Sequence, residues 1–321
     1  MSESVNPIIE KEESILSTTV DSLKKQQEKL VGRILTESTR ARELTSALVE
    51  TRRDEEKQLL ASDEAVSHAL KDKMHEDYKT LEKLIDKPYF ARIRLEEETN
   101  DDIKEIEYKI GFYSNPDCRI IDWRKAPLSK LYYEYKEGDD YSEVIQGRER
   151  LGRIALRTRV EVVKSELIRI SSSEGDFVKA RDGWAKDESA KKGRVAGSYE
   201  KLPSILSLIT AEQFKAITED AKTAILIQGV AGSGKTTVAL HRLAWLLHED
   251  NSDLKSSDCN IVVRSPALKI YIQNSLPLLE IYGVSVSSYN EWASKIIERV
   301  LEKPNRPESP CPSSIQRCAR S

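Results

Sequence analysis

Residues Gly229-Val230-Ala231-Gly232-Ser233-Gly234-Lys235-Thr236 have the types and spacing of a loop that cradles phosphate. Glycines at 229, 232 and 234 let the backbone turn so that successive N–H groups converge on one phosphoryl group. The N-terminus of a following helix adds positive potential. In that chemistry Lys235 neutralises the β- and γ-phosphates and the Thr236 hydroxyl ligates Mg²⁺, with Thr237 next in line along the phosphates. A chance glycine-rich turn is the alternative, and the flanking residues weigh against it.

Such a loop works only between a strand and a helix. "AILIQ", residues 224–228, is a short apolar run suited to a buried parallel strand. "TTVALHRLAWLLHE" sets Val238, Leu240, Leu243 and Leu247 at helical spacing, and its His241 and His248 read as surface or packing histidines, not metal ligands. Upstream, "LITAEQFKAI" opens another helix with Thr210 as N-cap. Gln213 precedes Gly229 by sixteen residues. A glutamine amide can pair with N6 and N7 of adenine, so at the rim of the pocket it would select ATP. An exposed glutamine at a helix start is the plainer reading of the spacing alone.

The rest of the chain must position these groups. Leu16, Leu23, Leu30, Glu37 and Leu44 interleave with Val20, Gln27, Ile34, Ala41 and Leu48 at spacings of four and three, a heptad seam with two polar interruptions. A helix of about 50 residues, roughly 75 Å long, fits this stretch. "LLASDEAVSHAL" then reads as a break, with Ser62 as N-cap and Asp63 and Glu64 in the first turn of a second helix. Leu70, Met74, Tyr78, Leu81 and Ile85 give that helix its apolar face, and Pro88 ends it. Both an antiparallel hairpin and a solvated dimeric coiled coil satisfy the pattern, and Gln27 and Glu37 do not decide between them.

From Glu107 the period becomes two. Tyr108, Ile110 and Phe112 share a face, as do Ile154, Leu156, Val160 and Val162, with Arg153, Arg157, Arg159 and Glu161 opposite. With "CRIIDW" and "KLYYEY" these runs predict a small antiparallel β module, its arginine face solvated or touching phosphate. Residues 186–203 carry two glycines, a proline and the basic cluster Lys186, Lys191, Lys192, Arg194 without periodicity, which reads as a linker.

Charged residues make up 33% of the 321 and aromatics 6%, a balance that suits long solvated helices. A net charge of −3 supplies no bulk field toward nucleic acid. Cys118, Cys259, Cys311 and Cys318 match neither a zinc site nor a disulfide framework. With no secretory start and no long apolar run, the expected location is cytoplasmic.

The stretch "LITAEQFKAI…AILIQGVAGSGKTTVALHRLAWLL" resembles the start of a UvrD/Rep-type superfamily 1 helicase motor, in which a glutamine precedes the phosphate loop. "KPYFARI", "IIDWRKAPLSKLYYEY" and the heptad hairpin resemble the HelD family of helicase-like ATPases that bind bacterial RNA polymerase. "SPALKIYIQNSLPLLEIYGVSVSSYNEW" resembles the stretch that follows the loop there, so the likeness covers about residues 8 to 300. Lys125 stands between the Arg and the Ala-Pro of the commoner "DWRAP" form. The resemblance implies ATP and Mg²⁺ as cofactors, RNA polymerase as partner, and DNA as a possible substrate of a longer parent.

The expected fold class is α/β. A helical hairpin spans 1–90, an antiparallel β module 91–185, a linker 186–203, and the start of a RecA-like P-loop domain with a parallel sheet 204–302. A motor of this class needs a carboxylate pair at the end of a second apolar strand. The candidate strands "NIVVRSP" and "VSVSSY" end in neither Asp nor Glu, and Glu280 reads as helical. Residues 303–321 gather Pro304, Pro307, Pro310 and Pro312 into an expected disordered tail, which reads as a truncation or as the floppy end of a natural short chain. No complete catalytic set is expected in this chain. A non-catalytic protein-binding module with a vestigial or nucleotide-sensing loop is the rival function.

Overall fold

The heptad seam folds back on its own chain. The computed structural model describes residues 7–50, 54–99, 102–125, 127–145, 147–180, 183–187 and 206–301. The basic cluster beyond Lys186 and the tail from 303 lie outside them. Helix α1 (Pro7–Glu50) and helix α2 (Asp54–Asp86) run antiparallel, with Ser67 Oγ donating to Glu37 at 2.6 Å and Thr45 Oγ1 to Glu64 at 2.6 Å. Every heptad position from Leu16 to Leu48 is buried or half-buried. Glu37 is therefore a polar seam residue satisfied across the interface rather than a defect.

Two expectations for α2 need correction. It is helical from Asp54 on, so Ser62 caps nothing and Asp63 and Glu64 lie in its interior. Its seam runs Leu60, Glu64, Ser67, Lys71, Met74, Tyr78, Leu81, which leaves Leu70 38% exposed. Once α1 fixes the register, spacing of four and three outranks the apolar character of one residue.

Eight strands follow: β1 (Ala91–Thr99), β2 (Asp102–Gly111), β3 (Ile120–Asp122), β4 (Asp140–Ile145), β5 (Arg148–Val163), β6 (Glu166–Ser172), β7 (Gly175–Ala180) and β8 (Gly183–Lys186). They form one sheet in the order β3-β2-β1-β5-β6-β7-β8, with β4 beside the first half of β5. The pairings are antiparallel except β2 with β3, so the sheet is mixed, not purely antiparallel. A 3₁₀ turn at Pro116–Cys118 reverses the chain and brings β3 back alongside β2 in the same direction.

"KLYYEY" is not a strand. Helix α3 (Leu128–Glu134) begins after Pro127 and buries Ser129, Leu131, Tyr132 and Tyr133. Aromatic residues favour strands only where a pleated surface receives them. Here three consecutive large side chains are covered on several sides, which a helix between layers allows. The expected faces of β5 need correction. Leu156 and Ile154 pair with the adjacent Arg94 and Leu95, so a bulge puts Ile154 on the face of Arg157, opposite Leu156, Val160 and Val162. There Arg157 lies over the Tyr132 ring, 4.6 Å from its centroid.

The foot of α1 lies on the sheet. Ile8, Ile9, Leu16 and Val20 pack with Tyr89, Val160, Val162, Leu167, Ile170 and Phe177. Arg92 (1% exposed) crosses this core, ion-paired to Glu12 of α1 (0% exposed) and, at 2.7 Å, to Glu107 of β2. The hairpin is thereby rooted in the β module rather than tethered to it.

By packing, the chain separates into two compact units, Met1–Ser252 and Asp253–Ser321. The first also holds helix α4 (Ala211–Thr218) and helix α5 (Lys235–Leu246). The second consists of β9 (Asn260–Val263), helix α6 (Pro266–Ser275), β10 (Ser285–Ser288) and helix α7 (Tyr289–Leu301), with β9 and β10 parallel. Glu280 stands at the end of a 3₁₀ turn, Leu276–Leu279, in left-handed conformation and not within a helix. No described helix is long and apolar enough to cross a membrane.

The expected buried strand at 224–228 is absent. Those residues form no ladder, and Leu226 is 82% exposed. A central parallel strand is stable only with partners on both edges and cover on both faces. The run pairs with no strand among the described residues, and its apolar character alone cannot supply one.

Candidate phosphate-binding loop

The loop itself has the backbone its sequence demands. Gly232 and Gly234 both sit at φ +80°, a region that strains other residues, and Gly234 is the N-cap of α5. A Cβ on Gly229 would lie 2.5 Å from Ser233 Oγ and 3.3 Å from Ser233 Cβ, so a side chain there would turn the Ser233 hydroxyl out of its place in the loop. Val230, Ala231, Gly232 and Ser233 are exposed, while Lys235, Thr236 and Thr237 are half-buried in the first turn of α5. Lys235 folds back over the loop, its Nζ donating to Gly229 O at 2.9 Å and Val230 O at 2.7 Å. The ammonium thus sits inside the curl of the loop, held by carbonyls that a more strongly charged acceptor would displace.

Gln213 is brought to this loop from α4. Thr210 and Gln213 form a reciprocal capping box: Gln213 N–H donates to Thr210 Oγ1 at 3.2 Å, and Thr210 N–H donates to Gln213 Oε1 at 3.1 Å. The amide is therefore fixed by its oxygen. Its Nε2 points at the loop, 3.5 Å from where a Cβ on Gly234 would stand.

Sequence patterns missed what holds α4 and α5 together. Arg242, seven residues beyond Lys235, donates to the carbonyls of Ala216 and Ile217 (both 3.2 Å), Glu219 (2.8 Å) and Asp220 (2.9 Å). A guanidinium at the C-terminus of α4 satisfies orphan carbonyls and meets the negative end of the helix dipole. Nothing in its spacing marks Arg242 for this, because its partners are backbone groups on another helix.

The "DWRKAP" segment braces the other side of α5. Arg124 is bidentate on Asp122, with Nε 2.9 Å from Oδ1 and an Nη 2.6 Å from Oδ2. Asn251 Nδ2 donates to Arg124 O at 3.1 Å, and the additional Lys125 reaches Asp250 at 3.2 Å. Trp123 packs edge-on against His241. His241 is fully buried, so of the two histidines it is the one in the packing role; His248 lies beside Asp122 at 3.9 Å. Burial lowers the pKa of both, His248 with help from the Arg124 charge.

Residues 9–181 match the family described as DNA helicase IV HelD, N-terminal domain. The match takes in more than half of the chain, from the foot of α1 through β7. The chain belongs to the HelD family. A search of curated proteins finds no match. The HelD match ends before the phosphate-binding loop, so family membership rests on the rooted hairpin and the mixed sheet. In this HelD-family chain the helices bearing the loop and Gln213 pack in the same compact unit as those elements.

Proposed function

We propose that this chain is the N-terminal part of a superfamily 1 helicase-like ATPase of the HelD type, one that binds Mg-ATP and binds and remodels RNA polymerase. The observation that carries the nucleotide reading is the loop–helix junction: two left-handed glycines, Lys235 curled over the loop and Gln213 beside Gly234. The loop N–H groups hold the β-phosphate at the positive end of α5. Lys235 would exchange the Gly229 and Val230 carbonyls for β- and γ-phosphate oxygens, and the Thr236 hydroxyl would hold a Mg²⁺ that neutralises further phosphate charge. Gln213, with one lone pair of its oxygen already committed to Thr210, accepts from adenine N6 with the other and donates Nε2–H to N7. In the complete motor a RecA-like sheet surrounds the loop, and residues 224–228 become its central strand.

The rival reading, a nucleotide-sensing binding module, draws support from the unpaired 224–228 segment. Neither β9, which runs into Arg264, nor β10, which runs into Tyr289, delivers a carboxylate to its end. Measuring Mg-ATP and Mg-GTP affinity and turnover on the same sample separates the two. Mg-ATP binding that favours ATP over GTP and is lost in Gln213→Ala supports the base reading; equal affinities remove it. A longer chain that hydrolyses ATP supports the motor, and one that binds without turnover supports the sensor.

A further inference from the structure

An eight-residue helix such as α4 is marginal by itself, so its orientation is set by what touches it. Arg242 holds the carbonyls at its C-terminal end, where Ile217 is fully buried. At the end that carries Gln213, the packing contact is made by Phe214, the next residue. Phe214 is fully buried, and its ring lies parallel to that of Tyr133, with centroids 4.2 Å apart and planes at 15°. Tyr133 belongs to α3, which follows directly on the "DWRKAP" segment. Its hydroxyl is buried with no hydrogen-bond partner, so the contact is made by the ring alone.

The lever is short and sensitive. A side-chain end about 5–6 Å from a helix axis moves by about 2 Å when the helix turns by about 20°. That displacement exceeds the tolerance of a hydrogen bond. We propose that Tyr133 is a positioning residue for base selection: its ring holds Phe214, and so sets the Gln213 amide beside the phosphate-binding loop. The β module then specifies the nucleotide without touching it. This inference rests on the base reading given above.

The test uses the whole chain with Tyr133→Leu and Tyr133→Phe. One readout is amide hydrogen exchange in α4 and α5 without nucleotide. The others are the ATP-to-GTP affinity ratio and binding of inorganic tripolyphosphate, which has no base. Tyr133→Leu is expected to speed exchange in α4 at least tenfold and leave α5 unchanged. It brings the affinity ratio toward one and keeps tripolyphosphate affinity within twofold. Tyr133→Phe, which deletes only the unpartnered hydroxyl, restores all three. Phe214→Leu removes the other ring and serves as the matched variant if Tyr133→Leu does not fold. Unchanged α4 exchange in the leucine variants overturns the proposal, as does a Tyr133→Phe variant that behaves like Tyr133→Leu. A wild-type chain indifferent to the base would overturn the base reading and the selectivity role built on it, while the exchange readout still decides whether Tyr133 orients α4.

Discussion

Trp123 meets His241 edge to face, ring centroids 5.7 Å apart and planes inclined by 64°, and this contact joins the β module to the helix that carries the phosphate-binding loop. His241 Nδ1–H donates to Thr237 O at 2.7 Å, which makes that nitrogen the protonated one, and Nε2 is left without a partner. Burial holds its pKa below the ordinary 6.5. The unfolded chain takes up a proton near 6.5 while the folded chain does not, so folding weakens as pH falls through 6.5 toward the lowered value. The slope is at most about 1.4 kcal/mol per pH unit for one such group. Thermal melts from pH 7.5 to 5.5 should show a falling midpoint, and His241→Phe should flatten the decline. An unchanged slope in that variant would place the titration elsewhere.

Lys235→Ala should abolish Mg-nucleotide binding while shifting stability by no more than about 0.5 kcal/mol. Its two hydrogen bonds are to exposed loop carbonyls that water can take over. Titration calorimetry with Mg-ATP, paired with a denaturant melt, checks both halves. Wild-type turnover by this chain should fall below the range of about 1 to 10³ s⁻¹ usual for enzymes.

Glu12→Ala leaves the buried Arg92 with Glu107 alone, and Glu107 reaches solvent. Breaking a buried pair costs about 3–5 kcal/mol, and the retained partner puts this case at the lower end. Replacing both residues, Glu12→Leu with Arg92→Met, should recover most of the loss because no buried charge remains unpaired. Urea unfolding of the single and double variants decides the point: a double variant no more stable than the single would contradict the account.

If the chain binds RNA polymerase as proposed, the long charged hairpin is the element expected to dock on it. Deleting residues 1–90 would also strip Ile8, Ile9, Leu16, Val20 and Tyr89 from the sheet core, so loss of binding by that deletion would say little. Replacing residues 36–68 with a short glycine-containing turn keeps those residues and removes the distal half, including the exposed Val49, Leu59 and Val66. This variant should keep its melting temperature within a few degrees and lose polymerase capture. Retained capture, or steeply salt-dependent binding of duplex DNA by the hairpin, would argue against docking.

Local rules written in few residues were legible from sequence. The heptad seam of α1, the Thr210 cap and the glycines of the loop all follow from period, capping or backbone conformation, which neighbouring residues set among themselves, whereas a bulge in β5 broke the alternation expected there. What depended on distant partners was not. Leu70 lost its place in the seam because α1 chose the register. "KLYYEY" became a helix because Tyr133 found Phe214 and Tyr132 found Arg157. "AILIQ" failed to become a strand because strand formation needs a second strand, and propensity cannot create one. The roles of Trp123, Tyr133 and Arg242 are of the same kind: each acts through a ring or a set of carbonyls that only the packing of α3, α4 and α5 brings within reach.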